Sequence, residues 1–182
     1  DRPRRHPKTH HPEPSTIPPM QLRSIETIFR ALNDAQVKYL VVGGLAVVAH
    51  GYVRTTEDVD LVISLAPDNI KCCLAVLESI GYRMGVPITA EQFADETQRK
   101  LWREEKGMLV LKLWSDSHNR TPIDVFVYEP FDLDEELEQA SKVALSDHLE
   151  VPVVSLPTLL RMKREAGRPQ DLADIDELEK LA

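Results

Sequence analysis

Asp58 and Asp60 stand two residues apart in the run Arg54-Thr55-Thr56-Glu57-Asp58-Val59-Asp60-Leu61. Residues 59–64 form a β-rich run. Side chains two apart on a strand share a face, so both carboxylates point the same way. Like charges held that close raise each other's pKa unless a cation stands between them. Hard oxygen ligands suit Mg²⁺ (or Mn²⁺), which completes its shell with water and phosphate oxygens. The pair therefore reads as half of a metal–triphosphate site. Ile123-Asp124-Val125-Phe126-Val127 supplies a third acid inside an apolar strand. A carboxylate there is costly without a partner. A salt bridge at a strand end would satisfy it. Set beside Asp58 and Asp60, it reads as the third metal ligand and completes a catalytic set for in-line phosphoryl transfer.

Upstream lies Val41-Val42-Gly43-Gly44-Leu45-Ala46. A strand followed by Gly-Gly and a helix lets the backbone come close to a ligand, and the helix start offers free N–H groups to phosphate. Gly43 and Gly44 are thus nucleotide-binding candidates. Arg54, four residues before Asp58, is a guanidinium that could neutralise phosphate or pair with the acids. Thr56 lies between them and joins the same set. Lys163 sits in an amphipathic run with Leu156, Leu159, Leu160 and Met162. It reads as a cation turned into a cleft, where it stabilises phosphate charge. Asp171 caps a final helix or orients Lys163. His50 closes a short helix before Gly51. Trp102 and Trp114 read as core. A mononuclear hydrolase site built from Asp116, His118 and Asp124 is a further arrangement of metal-binding types, although Asp116 and His118 fall in a polar turn.

The elements that must hold these residues are legible in the spacing. Leu22, Ile25, Ile28, Phe29 and Leu32 recur at three and four residues, a helical stripe. Residues 38–42 and 59–64 read as strands around a short helix over 45–50. Residues 67–80 read as a helix, with Pro67 in its first turn and Gly81 at its end. The highly charged stretch 89–106 reads as helical. Residues 108–114 and 123–128 read as two strands, 133–140 as a short helix and 151–154 as one more strand. Helices follow over 155–166 and 171–181. This order gives an α/β or α+β fold with a mixed sheet.

Bulk properties narrow the function. The chain has 182 residues and a net charge of −8, with 42% hydrophobic residues. That charge argues against coating nucleic acid by bulk electrostatics. No apolar run approaches the roughly 20 residues of a membrane span, so a cytoplasmic location with no membrane partner is expected. Cys72 and Cys73 are adjacent and read as two reduced thiols on a helix. Residues 1–19 hold six prolines and His6, His10 and His11. They read as a flexible arm that cannot bury enough surface to order itself. The core is expected over 20–154, with C-terminal helices over 155–182 packed on it.

Taken together, apolar-Gly-Gly, Asp-x-Asp and a later apolar-Asp-apolar resemble the polymerase-β-like nucleotidyltransferases. The longer run from Gly43 to Asp60 is similar to the small AbiEii-type, toxin-like members. So is Lys163 followed by Ala166-Gly167-Arg168-Pro169-Gln170-Asp171. The resemblance covers about residues 25 to 180. It implies a nucleotidyltransferase fold, a mixed sheet flanked by helices with a C-terminal helical part. It also implies an Mg-dependent enzyme that moves NMP from an NTP to an acceptor hydroxyl. Asp58 and Asp60 would hold Mg²⁺ and phosphates, Asp124 would activate or position the hydroxyl, and Gly43 and Gly44 would cradle the triphosphate. Many members have Ser where this chain has Gly44. The acceptor would be RNA or protein, with an antitoxin as partner. A small-molecule, aminoglycoside-like acceptor is one alternative, and a binding or regulatory module with weak or no catalysis is another. Arg161, Lys163, Arg164 and Arg168 read as a basic patch suited to RNA.

Overall fold

A computed structural model describes residues 22–182; the Pro-rich arm and its His6, His10 and His11 lie outside the described residues. The first apolar stripe folds as α1 (Leu22–Asp34), burying Ile25, Ile28, Phe29 and Leu32. The chain continues through β1 (Tyr39–Val42), α2 (Gly43–Ala49), β2 (Val59–Ile63) and α3 (Pro67–Ser79). Next come β3 (Arg83–Met84), α4 (Ala90–Ala94), α5 (Glu96–Lys106), β4 (Val110–Trp114) and β5 (Ile123–Phe126). The last elements are α6 (Leu133–Gln139), β6 (Ser141–Ser146), β7 (Leu149–Val153), α7 (Leu156–Ala166) and α8 (Pro169–Leu181).

The charged stretch 89–106 is two helices rather than one. Asp95 ends α4 in an extended conformation and its carboxylate then accepts from Thr97 and Gln98 N–H to start α5. The expected strand at 151–154 begins earlier, at Leu149, and pairs with β6, which the periodicity does not reveal. The short helix after β1 starts directly at Gly43, with no intervening turn.

The seven strands form one mixed sheet in the order β3-β4-β5-β2-β1-β7-β6. Its central strands are apolar, with Leu40, Val42, Leu61, Ile63, Leu111, Ile123 and Val125 fully buried. Helix α1 packs on α3 and β7, α2 on β1, β2 and α7, and α8 on α7. No helix among the described residues is long and apolar enough to cross a membrane. Cys72 is half-buried and Cys73 buried, and both are free thiols on α3.

The register positions the acids. β1 and β2 run antiparallel with Val42 opposite Asp60. β2 and β5 run parallel with Asp60 opposite Asp124. β4 and β5 run antiparallel with Lys112 opposite Asp124. Opposed residues share a face. Lys112, Asp124, Asp60 and the end of β1 therefore form one row across four neighbouring strands.

Candidate active site

The row ends at Gly43, and the glycine is there for space as well as for conformation. Its φ is +65°, and a Cβ would lie 2.0 Å from Asp60 Oδ2. A Cβ on Gly44 would lie 2.2 Å from Thr56 Oγ1 and 3.3 Å from the nearer Arg54 guanidinium nitrogen. The volume above the two glycines is thus filled by Asp60, Thr56 and Arg54. The Gly-Gly turn brings the backbone close to these side chains, which form the wall of the site.

Electrostatics are uneven along the row. Burial, then the charges of Asp124 and Asp58, push the Asp60 carboxyl up to about 7, against the opposing Gly44 N–H and Lys163. Burial also raises Asp124, and the Lys112 ammonium works against that rise. Lys112 Nζ lies 2.9 Å from Asp124 Oδ1 and 3.5 Å from Asp58 Oδ1, bridging the two acids. Burial pulls Lys112 down, but hydrogen bonding and charge from Asp124 and Asp58 leave it raised overall. Asp124 Oδ1 is buried and accepts no well-aligned hydrogen bond. Lys112 is a site residue that the sequence reading did not single out. Its Leu-Lys-Leu context reads as a solvent-facing strand position, and only the register with Asp124 marks it.

A second charged cluster ties the C-terminal helices to this wall. Lys163 is 5% exposed, Asp171 1% and Asp174 0%, so all three are inside the protein. Lys163 Nζ lies 3.1 Å from Asp171 and 2.8 Å from Asp174. Arg54 reaches the same Asp174 at 2.7 Å. Burial by itself would raise both acids, yet Lys163 with Arg168 at Asp171, and Lys163 with Arg54 at Asp174, hold them below the usual carboxylate range. Asp171 does both jobs expected of it: it closes the start of α8 with Arg168 and it binds Lys163. Asp174 was missed. Its spacing of three from Asp171 places both acids on one helix face, and that signal was available.

Beside the row lies a cleft of about 460 Å³ between β4, β5 and α7. Its lining combines Gly43, Asp60, Asp124 and Lys163 with the apolar side chains of Phe126, Tyr128, Leu159 and Met162. Other expected residues fall elsewhere. His50 closes α2 and binds the Val154 carbonyl at 2.7 Å, a structural role. Trp102 is buried, whereas Trp114 is 45% exposed under the Arg83 guanidinium, so it is not core. Asp116 pairs with Arg83, and His118 binds Ser24 and stacks on Tyr82, so the alternative hydrolase set is not assembled. The expected basic patch is neutralised by pairing: Arg161 with Glu165, Lys163 with Asp171 and Asp174, Arg164 with Glu179, and Arg168 with Asp171.

The donor set fits a divalent ion in one place. Asp58 and Asp60 offer hard oxygens close enough for Asp58 to raise Asp60, which is opposed only by the Gly44 N–H and the more distant charge of Lys163. The third acid is engaged by Lys112. Among the described residues, no three acid, histidine or cysteine side chains converge on a common point that could hold an ion.

No family model matches the chain, and no curated protein matches it. Solved structures do. The lincosamide antibiotic adenylyltransferase LnuA with lincomycin bound is 15% identical, with a TM-score of 0.60 over 91% of this chain and 100% of that one. ANT(2")-Ia in complex with adenylyl-2"-tobramycin is 15% identical, with a TM-score of 0.54 over 88% of this chain and 94% of that one. An antigenic nucleotidyltransferase-like protein from Paracoccidioides brasiliensis is 20% identical, with a TM-score of 0.52 over 88% and 76%. At these identities the likeness speaks for architecture: a mixed seven-stranded sheet flanked by helices that matches the nucleotidyltransferase fold.

Proposed function

We propose that this chain transfers a nucleoside monophosphate from an NTP to an acceptor hydroxyl. The observation that carries the reading is Asp60 held in register with Asp124 beside Gly43, with Asp58 at its side. Asp58 and Asp60 would hold Mg²⁺ (or Mn²⁺), which would supply positive charge to the triphosphate oxygens. Gly43 faces the cleft that would take the phosphates, with Gly44 packed on Thr56 and Arg54 behind it. Arg54 and Lys163, fixed by Asp174, add positive charge near that cleft. The acceptor oxygen attacks the α-phosphorus, forming a P–O bond as the bond to the bridging oxygen breaks. Pyrophosphate leaves with that electron pair. The hydroxyl proton passes to Asp124, whose burial-raised carboxyl suits it to a general base.

In the first reading the acceptor is RNA or protein. That follows the resemblance to AbiEii-type toxins, for which an antitoxin would be the partner. A second reading, a small hydroxylated molecule, rests on the cleft: the whole of it, about 460 Å³ and lined in part by Phe126 and Tyr128, is within the size range of small-ligand sites. The experiment is pyrophosphate release from each of the four NTPs with Mg²⁺. RNA, protein lysate, a lincosamide or an aminoglycoside is added in turn, and wild type is compared with Asp58→Ala/Asp60→Ala. Release that needs one acceptor and vanishes in the variant supports the reaction and names the acceptor class. A folded wild type that releases nothing with any of them replaces this reading with a non-catalytic regulatory module.

A further inference from the structure

We infer that Lys112 is a built-in cation of the acidic site, standing where a second divalent ion would otherwise sit, so that the chain takes one divalent ion, at Asp58 and Asp60. The inference rests on the proposed nucleotidyl transfer for its meaning and on geometry for its support. Lys112 is pinned at its Cα directly opposite Asp124 in the β4–β5 ladder. Its ammonium reaches Asp124 at 2.9 Å and Asp58 at 3.5 Å. An ion shared by Asp124 and Asp58 would need that same volume. No third carboxylate swings in to build a cage, in keeping with the absence of any three-ligand cluster among the described residues.

Charge balance points the same way. One divalent ion and one ammonium together neutralise the carboxylates of Asp58, Asp60 and Asp124. Adding a second divalent ion would set it against an ammonium a few ångströms away, and like charges repel. Lys163 lines the same cleft as Asp60 and Asp124. Positive charge for a bound triphosphate thus comes partly from side chains that are always present. Lys112 would hold Asp124 in place and charged without metal, and Asp124 would remain free of metal coordination to receive the proton.

The test is a Mn²⁺ titration of the full chain without nucleotide, read by loss of the free-ion EPR signal. Wild type is compared with Lys112→Met, which keeps the stem and removes the charge, and with Lys112→Arg, which keeps the charge. Thermal melting confirms that each is folded. One Mn²⁺ per chain is expected for wild type and for Lys112→Arg. Lys112→Met is expected to bind two, with the first bound about tenfold tighter. Two ions on wild type, an unchanged single ion on Lys112→Met, or no binding to either protein each overturns the inference. The stoichiometry is read without turnover, so the two ideas fail separately. A chain that binds one ion and releases no pyrophosphate loses the reaction and keeps Lys112 as its second cation. A chain that releases pyrophosphate and binds two ions does the reverse.

Discussion

Asp60 concentrates the physics of the site in one side chain. Its carboxyl is pushed from the ordinary 3.8 to about 7, first by burial and then by Asp124 and Asp58. A folded-state value above the unfolded one means that folding favours the protonated form. That stabilisation is complete below pH ~4 and is lost as pH rises through about 7. Metal-free protein should therefore weaken between pH 4 and 8, with Asp60 responsible for at most about 4 kcal/mol. Asp60→Asn cannot ionise. Melting in EDTA should show its Tm gaining on wild type by several degrees between pH 5 and pH 8, at roughly 2–4 °C per kcal/mol for a chain this size. An equal offset at both pH values would mean that Asp60 stays ionised throughout. Gly43 is the matching case for space. Gly43 and Gly107 have nearly equal positive φ, but a Cβ at 107 meets nothing within 4 Å, while one at 43 meets Asp60 at 2.0 Å. Gly107→Ala should cost about 1–2 kcal/mol from conformation alone. Gly43→Ala should cost clearly more in urea unfolding, and equal costs would show that Asp60 simply moves aside.

At the scale of elements, the C-terminal pair α7–α8 is fastened to the site by charge as well as by the buried Leu159, Ile175 and Leu178. Asp174 is fully buried and serves Lys163 and Arg54 together. Removing one partner of a buried ion pair leaves an uncompensated charge, at about 3–5 kcal/mol. Asp174→Ala should lose about that much in denaturant unfolding, and a loss below 1 kcal/mol would show that Lys163 and Arg54 find water instead. This cluster also marks how far a sequence carries. The placing of Asp60 and Asp124 was legible because their flanking apolar residues force strands, and a strand fixes which carboxylates share a face; Asp58 falls one residue before β2, outside the strand that the spacing suggests. Lys163 and Arg54 were legible as cations, and Asp174 could be placed on the same helix face as Asp171, but its pairing with Arg54 was not legible, because tertiary packing brings the two together across 120 residues. Lys112 needed the register of β4 on β5. The edge strand β6 escaped because Ser141–Ser146 is largely exposed and is held by its ladder to β7 rather than by its own pattern. The two-residue β3 is too short for any periodicity. The helical stretch expected over 89–106 forms two helices because Asp95 both stops one and caps the next.

The whole molecule bears on which acceptor it can hold. The chain carries a net charge of −8, and residues 22–182 are more acidic still, since Arg2, Arg4, Arg5 and Lys8 in the first segment face only Asp1 and Glu13 there. The cations that looked like an RNA-binding patch each have a carboxylate partner in the fold. Affinity for a phosphate backbone comes from releasing counterions at unpaired Lys and Arg, and it falls steeply with salt in proportion to the contacts made. A surface whose cations are already paired releases few. Generic single-stranded RNA, followed by fluorescence anisotropy between 50 and 200 mM salt, should therefore bind residues 22–182 more weakly than the ~10⁻⁴ to 10⁻⁶ M usual for non-specific binding, and with a shallow salt slope. Micromolar binding with a steep slope would reveal a basic track that this pairing pattern hides, and would favour RNA as the acceptor. Weak, salt-insensitive binding would leave the acceptor to be recognised by the cleft itself. There, Phe126, Tyr128 and Met162 offer apolar contact a short distance from Asp124. Selectivity would then rest on the shape of a small molecule or a single chain end.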